Sequence, residues 1–277
     1  MKLSAFFLRF GFYSVNGSMD SPVTGLTDEE VRKYDKTVTF YKTTNDNAPR
    51  RALVFIHGGA WIDDKNTPYD FYEFSEKMIE LAEGELEFSL YSIEYRLSPA
   101  IKHPTHMYDV IDNLYQLALQ EEIEEINILG HSVGATLAWQ VLSWTFEQTP
   151  FDDFQRQYRI GIVRSRLCHC FLVDGIFSLK ELLDEYPSYN YFVSQAFRSI
   201  EEFDDPATSE LSFPSKISIH VIHSYEDELL TLRQSNYLCS ILQSSRQRYH
   251  CFFDSFGKHN DVYCNKDLAR YVLKAML

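Results

Sequence analysis

Short apolar runs alternate with longer amphipathic stretches along most of this chain. Residues 36–41, 52–56, 88–95, 126–129, 168–173, 217–223 and 249–253 read as strands. Between them, residues 68–82, 104–120, 135–143 and 229–242 carry helical periodicity. In the second of these, Met107, Val110, Ile111, Leu114, Leu117 and Ala118 form one apolar stripe, which is core and not a cofactor box. Thr27-Asp28-Glu29-Glu30 has the form of a capping box. Strands separated by helices predict an α/β fold: a mostly parallel sheet covered on both faces, with ligands gathered at the carboxyl ends of the strands. The stretch 175–215 is too long for a plain crossover and predicts a small helical insertion beside those ends, with an aromatic cluster from Tyr186 to Phe197.

Gly130-His131-Ser132-Val133-Gly134 follows the strand 126–129 and precedes a helix, so a serine stands on a strand-to-helix turn. A turn this sharp strains the serine backbone and leaves no room for side chains at its flanks, which is why glycine stands at both. Such a nucleophile elbow presents Ser132 at the top of a sheet. Upstream, the strand 52–56 runs into His57-Gly58-Gly59-Ala60-Trp61, where two glycines uncover consecutive backbone N–H groups. In the α/β-hydrolase arrangement, one oxyanion donor belongs to the residue after the nucleophile, here Val133, and the other to this earlier loop, at Gly58 and Gly59.

The acid and the base then follow in chain order, each after a strand. Ser224-Tyr225-Glu226-Asp227-Glu228 offers three carboxylates. Asp227 is favoured, with Glu226 or Glu228 left to cap the next helix; the alternative for Asp227 is a solvated capping loop. Asp174, at the end of the strand 168–173, is a rival acid. Among nine histidines only His259 lies late, in a loop, behind the last strand. Attack by Ser132 with His259 as base, Asp227 as its orienting acid and the bare N–H groups as oxyanion hole is the chemistry expected.

His57-Gly58-Gly59-Ala60-Trp61 and Gly130-His131-Ser132-Val133-Gly134, together with Glu94-Tyr95-Arg96-Leu97-Ser98-Pro99 and His223 to Leu229, resemble the fungal kynurenine formamidases (arylformamidases) of the esterase/lipase-like α/β hydrolases. The likeness spans nearly all of residues 36–277, and its nucleophile, acid and base fall on Ser132, Asp227 and His259. Trp61 is its sharpest point, because the related lipases carry further glycine there. The resemblance implies hydrolysis of N-formyl-L-kynurenine to L-kynurenine and formate, in tryptophan degradation leading to NAD synthesis. It implies no cofactor, and allows a homodimer. Trp61, Phe177, Tyr189, Tyr191 and Phe192 are candidates to stack on an aromatic substrate, although ordinary packing competes for each. A broad short-chain carboxylesterase, or a binding protein on the same fold, would carry much of the same pattern.

Composition narrows the partners. The chain has 277 residues, 45% of them hydrophobic, enough for a single domain spanning 1–277. A formal net charge of -14 argues against nucleic acid and acidic membrane, and leaves binding of an anionic substrate to local positive groups. Five cysteines without a C-x-x-C pair read as free thiols in a reducing, cytoplasmic setting. His220 and His223 should face opposite sides of their strand, so no metal site is expected. Arg9 interrupts the apolar start of the chain after about six residues, too short for a signal-peptide core; residues 1–18 read as an extension.

Overall fold

The computed structural model describes residues 37–43, 50–144, 154–203, 205–206, 211, 213–214 and 216–277. The expected capping box at 27–30 and the extension 1–18 lie outside them. Among the described residues the order is β1 (Thr37–Tyr41), β2 (Arg51–Ile56), α1 (Tyr72–Leu81), β3 (Ser89–Ile93), α2 (Thr105–Gln120), β4 (Glu125–His131), α3 (Val133–Ser143) and α4 (Phe154–Arg166). There follow β5 (Leu167–Val173), α5 (Leu179–Glu185), α6 (Asn190–Ala196), β6 (Ser218–Ser224), α7 (Arg233–Ser244), β7 (Tyr249–Asp254) and α8 (Lys266–Met276).

The strands form one sheet in the order β1-β3-β2-β4-β5-β6-β7, parallel throughout except for the antiparallel β1 edge. Both faces are covered, which explains why the central strands read as unbroken apolar runs. In β2 the alternation assigns Ala52, Val54 and Ile56 to the core under α2 and α3, and Leu53 and Phe55 to the core under α1 and α8. The whole stripe of α2 is buried, as its periodicity predicts.

Because β3 lies on one side of β2 and β4 on the other, the topology reverses between β2 and β4. Loops leaving the carboxyl ends of two such strands diverge and open a crevice. Ile56 pairs with Gly130 across that junction, so the glycine loop and the serine turn emerge side by side. Between β5 and β6 the chain forms α5 and α6 with short 3-10 turns at Pro187–Tyr189 and Ile200–Glu202. No described helix is long and apolar enough to cross a membrane.

The helix expected from Leu229 starts instead at Arg233. Residues 225–232 form an irregular turn in which the Leu229 and Leu230 N–H groups are taken by Asp227.

Candidate active site

The serine turn is imposed by sterics. Ser132 has φ 55° and ψ -122°, outside the regions an L-residue prefers. A Cβ on Gly130 would lie 2.3 Å from the Gly134 carbonyl oxygen, and one on Gly134 would lie 2.0 Å from the Ile56 carbonyl oxygen. Only glycine lets α3 pack this close to β2. Ser132 N–H donates to the Val173 carbonyl at 2.8 Å, tying the turn to β5. Val133 is the first residue of α3, where backbone N–H groups have no partner within the helix.

The glycine loop stands directly opposite. A Cβ on Gly58 would lie 3.0 Å from the Ser132 Cβ, so the Gly58 backbone faces the serine at contact distance. Gly59, Ala60 and Trp61 all have positive φ (98°, 49° and 62°). This unusual run is braced from behind. Tyr95 Oη donates to the Gly58 carbonyl at 2.7 Å, and the Tyr95 ring stacks on His57 at 4.4 Å. His57 Nε2 lies 2.9 Å from Glu94 Oε1. Arg96 grips Asp109 through Nε and Nη2, at 2.8 and 2.6 Å, and Ser98 N–H donates to the Trp61 carbonyl at 2.8 Å. Since a trans peptide holds C=O and N–H antiparallel, pinning the Gly58 oxygen aims the Gly59 N–H the opposite way. The Glu94 to Pro99 segment is therefore a brace for the glycine loop.

The candidate acid and base, Asp227 and His259, meet at the β6/β7 end. His259 Nδ1 lies 2.7 Å from Asp227 Oδ2, while Asp227 Oδ1 accepts from Leu229 and Leu230 N–H at 2.8 and 2.9 Å. The two alternatives for Asp227 thus hold together: one oxygen caps the turn and the other orients the imidazole. Burial alone would raise the Asp227 carboxyl, but the bond and charge of His259 and the two N–H donors outweigh it and hold it below the usual range. Glu226 and Glu228 do not cap α7. Glu226 accepts from Gly257 N–H at 2.8 Å and Glu228 from His259 N–H at 3.0 Å, fastening the base loop to the acid loop. His131 completes the junction: burial keeps its ring neutral far below the usual imidazole pKa, and Nε2–H donates to the His259 carbonyl at 2.9 Å. The residue before the serine is thereby bonded to the base.

The BD-FAE family profile matches residues 38–184. A kynurenine formamidase from Eremothecium gossypii is 42% identical over 247 residues, covering 87% of this chain and 98% of its own. One from Saccharomyces cerevisiae is 39% identical over 251 residues, covering 88% and 94%. The chain belongs to the kynurenine formamidase family. Its fold is that of the α/β-hydrolase esterases: an arylesterase superposes with TM-score 0.58 at 16% identity, covering 87% of this chain and 84% of its own. Esterase B from Lactobacillus rhamnosis gives 0.61 at 15%, covering 85% and 80%.

In this family member the aromatic candidates divide. Trp61 is buried and packs edge-on against Phe197 at 5.1 Å, with Phe192 6.1 Å away. Tyr189 packs on Phe192 at 5.2 Å and donates from Oη to the Leu229 carbonyl at 3.0 Å, so the turn before α6 touches the loop that carries Asp227. Tyr191 is exposed beside Phe192. Phe177 is instead a core side chain: it is fully buried, its ring fills the space a Gly175 Cβ would need, and its N–H donates to Gln234 Oε1 at 2.7 Å. His220 spends both ring nitrogens, on Tyr271 Oη at 2.7 Å and His169 at 3.0 Å. The braces Tyr95, His131, Glu226 and Glu228 escaped the sequence reading as positioning groups, since each works through a contact far away in the chain.

Proposed function

We propose that this protein hydrolyses N-formyl-L-kynurenine to L-kynurenine and formate, with Ser132 as nucleophile, His259 as base and Asp227 as orienting acid. The observation that carries the reading is the 2.7 Å Asp227–His259 bond beside a strained serine turn, in a chain 42% identical to a kynurenine formamidase. Ser132 Oγ attacks the formyl carbon as His259 takes its proton, and Asp227 stabilises the imidazolium. The tetrahedral oxyanion falls to the N–H groups of Gly58, Gly59 and Val133, each such donor being worth about 3 kcal/mol of barrier. As the C–N bond breaks, His259 returns the proton to the departing arylamine. Delocalisation of its lone pair into the ring makes that amine a better leaving group than an alkylamine. Water then attacks the formyl ester, His259 takes a proton from it, and formate departs as Ser132 recovers its own.

The reading treats residues 1–277 as one α/β-hydrolase domain that needs no cofactor or metal and acts in the cytoplasm on a small molecule. The aromatic ring of the substrate is assigned to the side of the site where Tyr189, Tyr191 and Phe192 pack together, with Trp61 buried behind Phe192. Nucleic acid and membrane have no part in it, and sedimentation velocity decides between monomer and homodimer. The deciding assay compares kcat/KM for N-formyl-L-kynurenine and p-nitrophenyl acetate. Preference for the formamide is expected; a clear preference for the ester would identify a short-chain carboxylesterase, and no turnover or fluorophosphonate labelling of Ser132 would identify a binding protein.

A further inference from the structure

We propose that Asp174 is a second orienting acid for His259, held in reserve behind the Asp227–His259 pair as a neutral carboxylic acid. The proposal rests on the hydrolase reading above and concerns the same site.

Asp174 follows β5, one strand nearer the serine than the Asp227 loop, and is fully buried with φ 45°. Its backbone stands next to Val173, whose carbonyl receives Ser132 N–H. Asp174 Oδ1 accepts from Ser224 N–H at 2.9 Å and lies 3.2 Å from His223 Nδ1, while Oδ2 has no hydrogen-bond partner. One oxygen of Asp174 and one ring nitrogen each of His131 and His259 lie within 4.8 Å of one another. The same holds for Asp174, His223 and Asp227. Two carboxyls therefore flank one catalytic imidazole.

The two differ in what holds a negative charge. Asp227 has the imidazole and two N–H donors. Asp174 has one N–H donor, and His223 offers it no proton. His223 Nε2 lies 3.1 Å from the Leu230 carbonyl, which only accepts, so the hydrogen sits on Nε2 and Nδ1 carries the lone pair. Ser235 Oγ shares that lone pair at 2.9 Å. An oxygen 3.2 Å from a bare Nδ1 is best satisfied by a carboxyl that carries the proton and donates. Burial first, and the Asp227 charge second, raise the Asp174 carboxyl well above its ordinary value, in keeping with one ionised and one neutral acid sharing a buried site.

Loss of Asp227 removes the lesser of the two influences that keep Asp174 protonated and leaves His259 without a partner. The imidazolium that forms when His259 takes the Ser132 proton is the charge partner Asp174 lacks, and rotation of the two side chains across the remaining gap lets Asp174 ionise against it, its own proton passing to solvent. The other groups facing this pocket are His131 and His223, both held neutral by burial. Glu226 and Glu228 are engaged by Gly257 and His259 N–H.

The test measures kcat of the wild type, Asp227→Ala, Asp174→Asn, the double variant and Ser132→Ala, on N-formyl-L-kynurenine and on p-nitrophenyl acetate. Removal of a triad acid ordinarily costs about 10⁴-fold and of the nucleophile about 10⁶-fold. That ordinary difference leaves an acid-less variant about 100-fold above Ser132→Ala, whereas with Asp174 in reserve Asp227→Ala should stay about 10³-fold or more above it. The double variant should lose that surplus, falling about 10-fold or more below Asp227→Ala to the level ordinary for loss of a triad acid. In Asp227→Ala the acid limb of the kcat–pH profile should move upward, because a buried carboxyl must now ionise; this readout needs no substitution at 174 and stands even if Asp174→Asn fails to fold. Equal kcat in Asp227→Ala and the double variant, or an unmoved acid limb, would overturn the proposal. Turnover of the ester alone would sink the formamidase reading while the same comparison on the ester still decides the role of Asp174.

Discussion

At the β2/β4 end of the sheet Ser132 and its facing loop are held by backbone sterics, whereas at the β6/β7 end Asp227 and His259 are held by side-chain hydrogen bonds. The first arrangement depends on atoms that have nowhere else to go: a Cβ at Gly134 would sit 2.0 Å from a β2 carbonyl. The second depends on carboxylates, Asp227, Glu226 and Glu228, each spent on an N–H of the facing or following turn. For Ser132 as the proposed nucleophile, a strained conformation is served by rigidity. For His259 as the proposed base, a proton shuttle is served by polar latches that allow the imidazole small adjustments.

The sharpest way to break this contrast is at Gly134. Gly134→Ala should force α3 away from β2 and cost about 3 kcal/mol or more, as overpacking does, lowering Tm by roughly 6 °C or more in a chain this long. A calorimetric scan showing no loss would remove the steric account of the turn.

Acid should separate the two ends next. His103 and His106 are buried near the brace, His106 Nε2 lying 3.0 Å from Ser98 Oγ, and burial lowers their pKa values to about 4 and about 3. An unfolded imidazole binds its proton near pH 6.5, so each contributes stability that is intact above that pH and is lost as pH falls towards its folded value. At pH 5 the loss is about 2 kcal/mol per ring. Asp227 has the opposite history: its folded carboxyl lies below its unfolded value, so its contribution persists until pH falls beneath the usual carboxylate range. Denaturant midpoints at pH 7 and 5 should drop accordingly, and His106→Gln should reduce the drop; a flat profile contradicts the assignment.

Smaller effects test single contacts. Tyr95→Phe removes the bond that pins the Gly58 carbonyl and should lower kcat about 10-fold with KM little changed, the equivalent of one neutral hydrogen bond. Glu228→Gln keeps an acceptor for His259 N–H on an exposed side chain and should cost less than about 3-fold. A Glu228 effect larger than that of Tyr95 would reverse the relative weight given to the two ends.

The difference also decides what could be read in the sequence. The steric end was legible because its devices are contiguous: glycines flanking Ser132, paired glycines at 58 and 59, each after an apolar run. The polar end was legible only in outline. Three carboxylates at 226–228 are equivalent on paper, and only the fold shows that all three are used, Asp227 on the Leu229 and Leu230 N–H groups, and that α7 starts at Arg233. The rival Asp174 lay in the right place for an acid, yet nothing local says that its neighbours withhold a charge partner. His131 looked like a motif filler because its bond to His259 spans 128 positions. Phe177 stood among the stacking candidates with packing as its competing role, and packing is what the fold shows; no periodicity marks the inside of a loop.

The most direct measurement of the central claim follows kynurenine release from N-formyl-L-kynurenine by the wild type and by Ser132→Ala, both shown to be folded by the same thermal transition. Turnover by the wild type and a loss of about 10⁵-fold or more in the variant is the expected result. Undiminished kynurenine release by folded Ser132→Ala would contradict the account.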